Sequence, residues 1–533
     1  MARVLVAERI SSAGLDLLRD GGHEVDVRLG MSPEELLGAV AGARALVIRS
    51  ATQVTADVLE AGKDLVVVGR AGVGLDNVDL DAATRLGVTV VNAPLSNVLS
   101  AAEHTVALIL SQARNIPQAH AALVAGRWER AQWEGIELAG KTLGIVGLGR
   151  VGRLVAERVA GFAMLTLGHD PYVSVEQARE LRIELVSLPE LMARSDFVTL
   201  HVARTPETIG LIGADLLAEA KPGIRIVNVA RGGLVDEEAL AGALRSGRVA
   251  GAALDVFDGE PIDSSPLFGL PGVVVTPHLG ASTAEAQHRA GVNIAEQVRD
   301  ALAGGFVPFA VNIEARQAPD ILRPYLPLCE HMGGMLAEIV GGLPEAVELE
   351  FWGHIGDHDP SIARLAVLRG LLATARRTNV TYVNAPLMAA ESGLRTVTHS
   401  HVAPRDFLNE VVVRGGGTEL VGTLLGVRGD PYVVKVNGLA INVRPSRHMV
   451  MITNEDRPGV VGVVGTILGA AGVNIADMVL DRTGGASSTS LIMFSTDRHV
   501  TEAVAQQLRE APGVLTVTVI RLDTIGQAGA SAR

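Results

Sequence analysis

The feature that most constrains this chain is a glycine-rich turn set between a predicted strand and a predicted helix. Thr142-Leu143-Gly144-Ile145-Val146 is a short apolar run that passes directly into Gly147-Leu148-Gly149-Arg150-Val151-Gly152. A stretch with Leu154, Val155 and Val159 on one helical face follows. Glycine is common here, at 60 of 533 residues, so Gly-x-Gly-x-x-Gly alone carries little weight. Its context supplies the weight. A strand that turns sharply into a helix brings backbone N–H groups and the positive end of the helix dipole to one point, and glycines let a pyrophosphate approach. Gly147, Gly149 and Gly152 are the residues placed to do this. Asp170 follows Gly152 by 18 positions at the end of the next predicted strand. A carboxylate there accepts hydrogen bonds from an adenine ribose and repels a 2′-phosphate, so NAD is expected in preference to NADP.

The rest of the chain reads as α/β in four blocks. Up to residue 97, short apolar runs (Val4-Leu5-Val6, 45–48, 65–69, 88–91) alternate with amphipathic stretches at 11–20 and 33–40. That alternation predicts a doubly wound parallel sheet. Residues 98–281 open with a long helix carrying Glu103-His104 and hold the glycine turn, with further strands at 166–168, 197–200, 224–228 and 273–276. A helix over 282–303 can return to the first block. The first domain is then 1–97 plus 282–312, with the Rossmann domain 98–281 inserted into it. After the polar stretch 312–320, an intervening α+β domain occupies 313–446. Residues 447–525, with strand runs at 450–452, 490–494 and 514–520, suit a βαββαβ module of ferredoxin-like type. The tail 526–533 is small and polar.

Composition narrows the functional classes. The formal net charge of −13 argues against a general nucleic-acid binder, whose affinity needs a basic face. One cysteine, Cys329, excludes an internal disulfide and a cysteine-cluster metal site, and no metal is expected. The apolar stretch 460–476 is interrupted by glycines and Asn474 and reads as a buried helix with its turn, not a membrane span. The N-terminus enters a strand-like run with no secretory pattern, so a cytoplasmic protein without membrane partners is expected.

Three polar residues fall where predicted strands end: Arg231, Glu260 and His278. Ligands of open α/β sheets bind at that edge. Oxidising a secondary alcohol with NAD removes a hydride from carbon and a proton from oxygen. Histidine suits the proton, a carboxylate on its other ring nitrogen fixes the tautomer, and the arginine fork suits a substrate carboxylate.

These segments, with Gly69-Arg70-Ala71-Gly72-Val73-Gly74-Leu75-Asp76-Asn77-Val78-Asp79, resemble the D-isomer-specific 2-hydroxyacid dehydrogenases. Asn454-Glu455-Asp456-Arg457-Pro458-Gly459 and Ala471-Gly472-Val473-Asn474-Ile475 are similar to the amino-acid-sensing ACT domain that ends some members. The resemblance implies His278 as acid/base, Glu260 as its partner and Arg231 as carboxylate clamp. It also implies cofactor contacts at Arg150, Val151, Asp170, Val229, Ala230, Asp255, Leu279, Gly280 and Ala281. For the substrate it implies backbone contacts at Gly72, Val73 and Gly74. Arg49, Ser50 and Arg70 are then placed near a substrate phosphate, and Arg130 toward a neighbouring subunit's site. L-serine is the implied effector, at Asn454, Asp456 and Asn474; Arg444 is a weaker anion contact in the third block. A homotetramer and a phosphorylated 2-hydroxy acid substrate follow from the same likeness. Two alternatives stay open at this level: a dehydrogenase of an unphosphorylated acid such as glycerate, and a non-enzymatic NAD sensor.

Overall fold

The computed structural model describes every residue except 306, 315–318, 379, 483–488 and 523–533. The tail 526–533 and the middle of the polar stretch 312–320 therefore lie outside the described residues. Four sheets organise the rest.

The first sheet comprises β1 (Arg3–Val6), β2 (Glu24–Val27), β3 (Ala45–Ile48), β4 (Val67–Arg70) and β5 (Thr89–Asn92), in the order β2-β1-β3-β4-β5 and all parallel. The apolar runs of β1, β3, β4 and β5 are buried on both faces, the usual state of parallel strands covered by helices. β2 was not expected. Its sequence, Glu-Val-Asp-Val, is half polar because it is an edge strand with only one neighbour. The helix Ala284–Leu302, capped by Thr283, returns to this sheet and packs Ile294 and Val298 against β4. Gly69 permits that approach, since a Cβ there would lie 2.8 Å from Ile294.

The second sheet comprises β6 (Thr142–Val146), β7 (Leu165–His169), β8 (Glu184–Leu185), β9 (Phe197–Leu200), β10 (Ile224–Asn228), β11 (Val249–Leu254) and β12 (Val273–Val275). Its order is β12-β11-β10-β9-β6-β7-β8, all parallel, so the chain reverses direction of winding at β6. β8 and β11 were also missed. β11 reads Val-Ala-Gly-Ala-Ala-Leu, too poor in branched residues to look like a strand, yet it is central and buried. The reason is close packing. A Cβ on Gly251 would sit 1.7 Å from Gln112 Nε2, on the helix Val98–Ala113.

The third sheet is mixed, ordered β14-β13-β15-β16-β17-β18: β13 (Ala346–Gly353), β14 (Arg395–His401), β15 (Asn409–Gly415), β16 (Thr418–Leu425), β17 (Asp430–Val436) and β18 (Leu439–Val443). The fourth is antiparallel, ordered β20-β21-β19-β22: β19 (His448–Glu455), β20 (Ile475–Arg482), β21 (Thr489–Thr496) and β22 (Val514–Arg521). With the helices Val460–Ala470 and Glu502–Arg509 this completes βαββαβ; β20 is the strand that sequence reading omitted. The helix Val460–Ala470 is not buried as expected. Only Val460, Val464 and Leu468 are fully buried, Ile467 packs partly against the same core, and Val461 is 43% exposed. Among the described residues, no helix is long and apolar enough to cross a membrane.

The last two modules share one core. Met332, Met335 and Leu336 of the helix Leu326–Val340 join Val347, Leu349 and Phe351 of β13 and also Met449, Met493 and Ile520 of the fourth sheet, with Leu522 just past its last strand. Two helices cross closely beneath it: a Cβ on Gly370 would lie 1.8 Å from Glu330 O, and one on Gly333 2.1 Å from Val367 O. Gly370→Ala must force those helices apart, and overpacking of this kind costs about 1–3 kcal/mol. We expect a lower urea midpoint for unfolding of residues 320–522, followed by circular dichroism.

Candidate active site

The turn after β6 is built for an anion. The helix Arg150–Ala160 begins at Gly149 with no side-chain cap, so its first N–H groups face outward. A Cβ on Gly149 would meet nothing within 4 Å, whereas one on Gly147 would lie 2.5 Å from His201 O and one on Gly152 2.1 Å from Gly147 O. The middle glycine thus leaves an open cradle, and the outer two are demanded by packing. Arg150 and Val151 stand at the first two positions of that helix. Asp170, just past β7, accepts from Leu148 N at 2.8 Å and Tyr172 N at 2.9 Å, which aims its carboxylate across the turn. The residues present therefore fit a dinucleotide with a free ribose.

Across β10, β11 and β12 the strand ends deliver the polar groups. Asn228 ties the following turn, donating to Arg231 O and accepting from Ala230 N, so Val229, Ala230 and Arg231 are held as a unit. Asp255, at the end of β11, is fully buried. It accepts from Thr276 Oγ1 (2.6 Å), Leu279 N (2.7 Å) and Gly280 N (2.8 Å), and its Oδ1 lies 3.2 Å from His104 Nε2. Burial pushes this carboxyl up, but these hydrogen bonds outweigh it and hold Asp255 below its ordinary range. Gly280 packs against it, and Ala281 follows in the same turn.

That anchoring places His278 in an unusual conformation, at φ +53°, a region that side-chain-bearing residues seldom occupy. Its N–H is bonded to Asp255 O and Thr276 O, and its ring Nδ1 lies 2.5 Å from Glu260 Oε2. Glu260 is held in turn by Phe257 N–H on its other oxygen. The Glu260 hydrogen bond raises the His278 pKa against burial and the nearby Arg231. Burial would raise Glu260, yet its bonds to His278 and Phe257 keep it low. With Nδ1 committed, Nε2 is left to exchange a proton with a substrate.

The first sheet supplies the facing wall. Arg70, at the end of β4, is largely buried, and burial together with Arg231 lowers its guanidinium below the ordinary value. A Cβ on Gly72 would lie 2.5 Å from Arg70 Nη1, and one on Gly74 would lie 3.0 Å from Asp76 Oδ2 and 3.5 Å from Arg231 Nη2. Gly72, Val73 and Gly74 thus form a bare backbone turn between two guanidinium groups. Asn92 Nδ2 pins it by donating to Val73 O at 2.7 Å. Arg49 and Ser50 follow β3 on the same edge, and Arg49 is close enough to Arg70 to depress it further.

The structure therefore brings together Arg70, the 72–74 turn, Arg231, Glu260 and His278, with Arg49 beside them. Arg130 does not join them. It is exposed in the short helix Arg130–Trp133, next to Trp128, which is 77% exposed. Arg444 pairs with Asp430 at 2.7 Å. Asn454 is 2% exposed, donating to Glu455 O and accepting from Ser490 Oγ. Asp456 pairs with Arg482 at 3.4 Å, and Asn474 is exposed, its backbone N–H bonded to Asp497. His104 and Asn92 were overlooked by sequence reading. The only available signal was that each sits at an element facing the strand ends.

Comparison with known proteins decides the family. Residues 106–280 match the D-isomer specific 2-hydroxyacid dehydrogenase NAD binding domain, 321–437 the D-3-phosphoglycerate dehydrogenase intervening domain, and 448–513 the ACT domain. The chain is 47% identical over 502 residues to D-3-phosphoglycerate dehydrogenase of Mycobacterium leprae, covering 93% of this chain and 94% of that one. The chain belongs to the D-3-phosphoglycerate dehydrogenase family. The Archaeoglobus fulgidus member is 41% identical over 529 residues, covering 98% of this chain and 100% of its own. Among solved structures, the TT0316 protein of Thermus thermophilus superposes with a TM-score of 0.54 at 37% identity, covering 58% of this chain and 99% of that one. The apo D-lactate dehydrogenase of Escherichia coli gives 0.53 at 28% identity, covering 58% and 99%. This protein is thus an NAD-dependent oxidoreductase with an intervening domain and an ACT module.

With His278 as the expected acid/base, its raised pKa predicts the pH profile. A base must be neutral, so alcohol oxidation should fall as pH drops through that pKa, and ketone reduction should fall as pH rises through it. Glu260→Gln removes the largest cause of the shift. We expect its oxidation limb to move to lower pH, with kcat down about ten- to a hundredfold; pH–rate profiles measure both. By the same linkage the pair's contribution to stability is lost as pH rises through the raised His278 value, and lost again as pH falls through the lowered Glu260 value, leaving a window between the two.

Proposed function

We propose that this enzyme oxidises 3-phospho-D-glycerate to 3-phosphohydroxypyruvate as the first step of L-serine synthesis. The observation that carries this reading is the convergence of Arg70 and Arg231 on the 72–74 turn with Arg49 adjoining. One fork and the bare backbone N–H groups suit the substrate carboxylate, and the further cations suit a phosphate. His278 Nε2 takes the hydroxyl proton from O2, and Glu260 stabilises the imidazolium that forms. The 147–152 turn, Asp170, the Val229–Arg231 segment and the Asp255-anchored 278–281 turn would hold NAD, which when bound would supply the hydride acceptor for C2. The two sheets meet carboxyl edge to carboxyl edge, so closing one on the other excludes water from the transfer.

The ACT module supports L-serine as effector, with the exposed Asp456 and Asn474 region as its contact and Asn454 as the buried floor. The exposed segment around Trp128 and Arg130 supports assembly into a homotetramer in which Arg130 reaches a neighbouring site. Cys329 is buried and its thiol is pushed up to about 12, which suits an unreactive residue in a reducing cytoplasm.

The test is NADH oxidation with 3-phosphohydroxypyruvate beside plain hydroxypyruvate, in phosphate-free buffer without serine. We expect a kcat/KM advantage of about a hundredfold or more for the phosphorylated acid, the scale available when a site pairs buried cations with a ligand's charge. Equal values would reassign the enzyme to an unphosphorylated acid. His278→Ala should abolish turnover while NADH still quenches or shifts fluorescence on binding; a wild-type kcat in that variant would remove the acid/base role.

A further inference from the structure

The arginine-bearing loop after β3 does not hold its own shape. Residues 49–52 follow directly on a buried strand and contain no glycine or proline to set a turn. Their backbone groups are instead satisfied from two sides by side chains. Glu8, two residues past β1, accepts from Arg49 N at 2.8 Å and Thr52 N at 2.9 Å on one oxygen and from Ala51 N at 3.3 Å on the other. Asn77, 7% exposed, donates from Nδ2 to Arg49 O at 2.8 Å and to Thr52 O at 2.6 Å. Every partner of this loop is thus polar, local to the carboxyl edge of the first sheet, and outside the catalytic trio.

Asn77 adds a second link. It lies three residues beyond Gly74, and its carbonyl accepts from Val54 N at 2.8 Å. The turn that faces the substrate carboxylate and the loop that carries Arg49 and Ser50 are therefore cross-braced through one side chain. Glu8 also faces Arg70 and partly offsets the depression of that guanidinium.

From this clamp we infer that Glu8 and Asn77 are positioning residues that fix the distance between the carboxylate-binding turn and the Arg49–Ser50 loop, and so set the preference for a phosphorylated 2-hydroxy acid. The inference rests on the phosphoglycerate reading above. The physical reason is the geometry of a substrate with an anionic group at each end. Two binding segments on separate loops discriminate by spacing only if the spacing is rigid, and a carboxylate accepting several N–H bonds is a strong tether. A carboxylate so near a phosphate site also repels the phosphate, which makes the two effects of Glu8 opposite in sign and separable.

The experiment compares the full-length wild type with Glu8→Gln, Glu8→Asp and Asn77→Ser. Each is assayed with NADH against 3-phosphohydroxypyruvate and against hydroxypyruvate, with thermal unfolding and NADH binding run on the same samples. Gln keeps the length but removes the charge and places a donor before the N–H groups; Asp keeps the charge but shortens the reach. If the clamp sets spacing, both Glu8 variants and Asn77→Ser lower the ratio of kcat/KM values, phosphorylated over plain, by about tenfold, equivalent to about 1.4 kcal/mol. The loss then lies in KM for the phosphorylated acid, with NADH affinity retained. A raised ratio in Glu8→Gln with a silent Glu8→Asp would show that Glu8 acts only as a charge and overturn the inference. So would unchanged ratios in all three, or equal losses with both substrates. A wild-type ratio near one would instead overturn the phosphoglycerate reading itself, whatever the variants do.

Discussion

The active centre depends on one buried carboxylate. Asp255 is fully enclosed, and an enclosed charge is tolerable only when its lone pairs are filled. Filling them fixes everything around it. Thr276 and the amides of Leu279 and Gly280 must turn inward, His104 must reach across from its helix, and His278 is carried into a left-handed backbone conformation. From there its ring meets Glu260, which is itself oriented by Phe257. The histidine proposed as acid/base is thus aimed by a residue that need not touch a proton in transit.

The facing wall works by the opposite device. Three arginines gather at the edge of the first sheet and the β10 turn, and at Arg70 the lowering by burial and by the other two is partly offset by Asp76 and Glu8. Among the described residues no salt bridge locks Arg49, Arg70 or Arg231, although Arg231 Nη1 donates to Ala230 O at 2.7 Å.

The regulatory half of the chain is mechanically continuous with itself. The helix Leu326–Val340 packs against the third sheet on one side and the fourth on the other, within a single apolar core. The third module meets the first domain where Thr381 Oγ1 donates to Gly87 O at 3.1 Å, beside the Val88 carbonyl to which Asn312 of the first domain donates.

Sequence alone determined what local chemistry can specify. The strand–glycine turn–helix around Gly147 to Gly152 has few other uses, because its outer glycines are required by close packing and its middle one leaves the backbone open to a ligand. The alternation of apolar strands and amphipathic helices likewise left little freedom in fold class, and Arg231, Glu260 and His278 announced themselves as polar residues at strand ends. What it missed shares a physical cause. β2, β8 and β11 are strands made by their neighbours, polar at an edge or alanine- and glycine-rich under a close helix, so no period-2 apolar signal marks them. Only the tertiary structure decided that Glu8, Asn77, Asn92 and His104 converge on the site, because their roles rest on hydrogen bonds that span up to 172 positions of chain. Such partners are chosen by which strand ends lie side by side, and side-chain type alone carries no record of that adjacency.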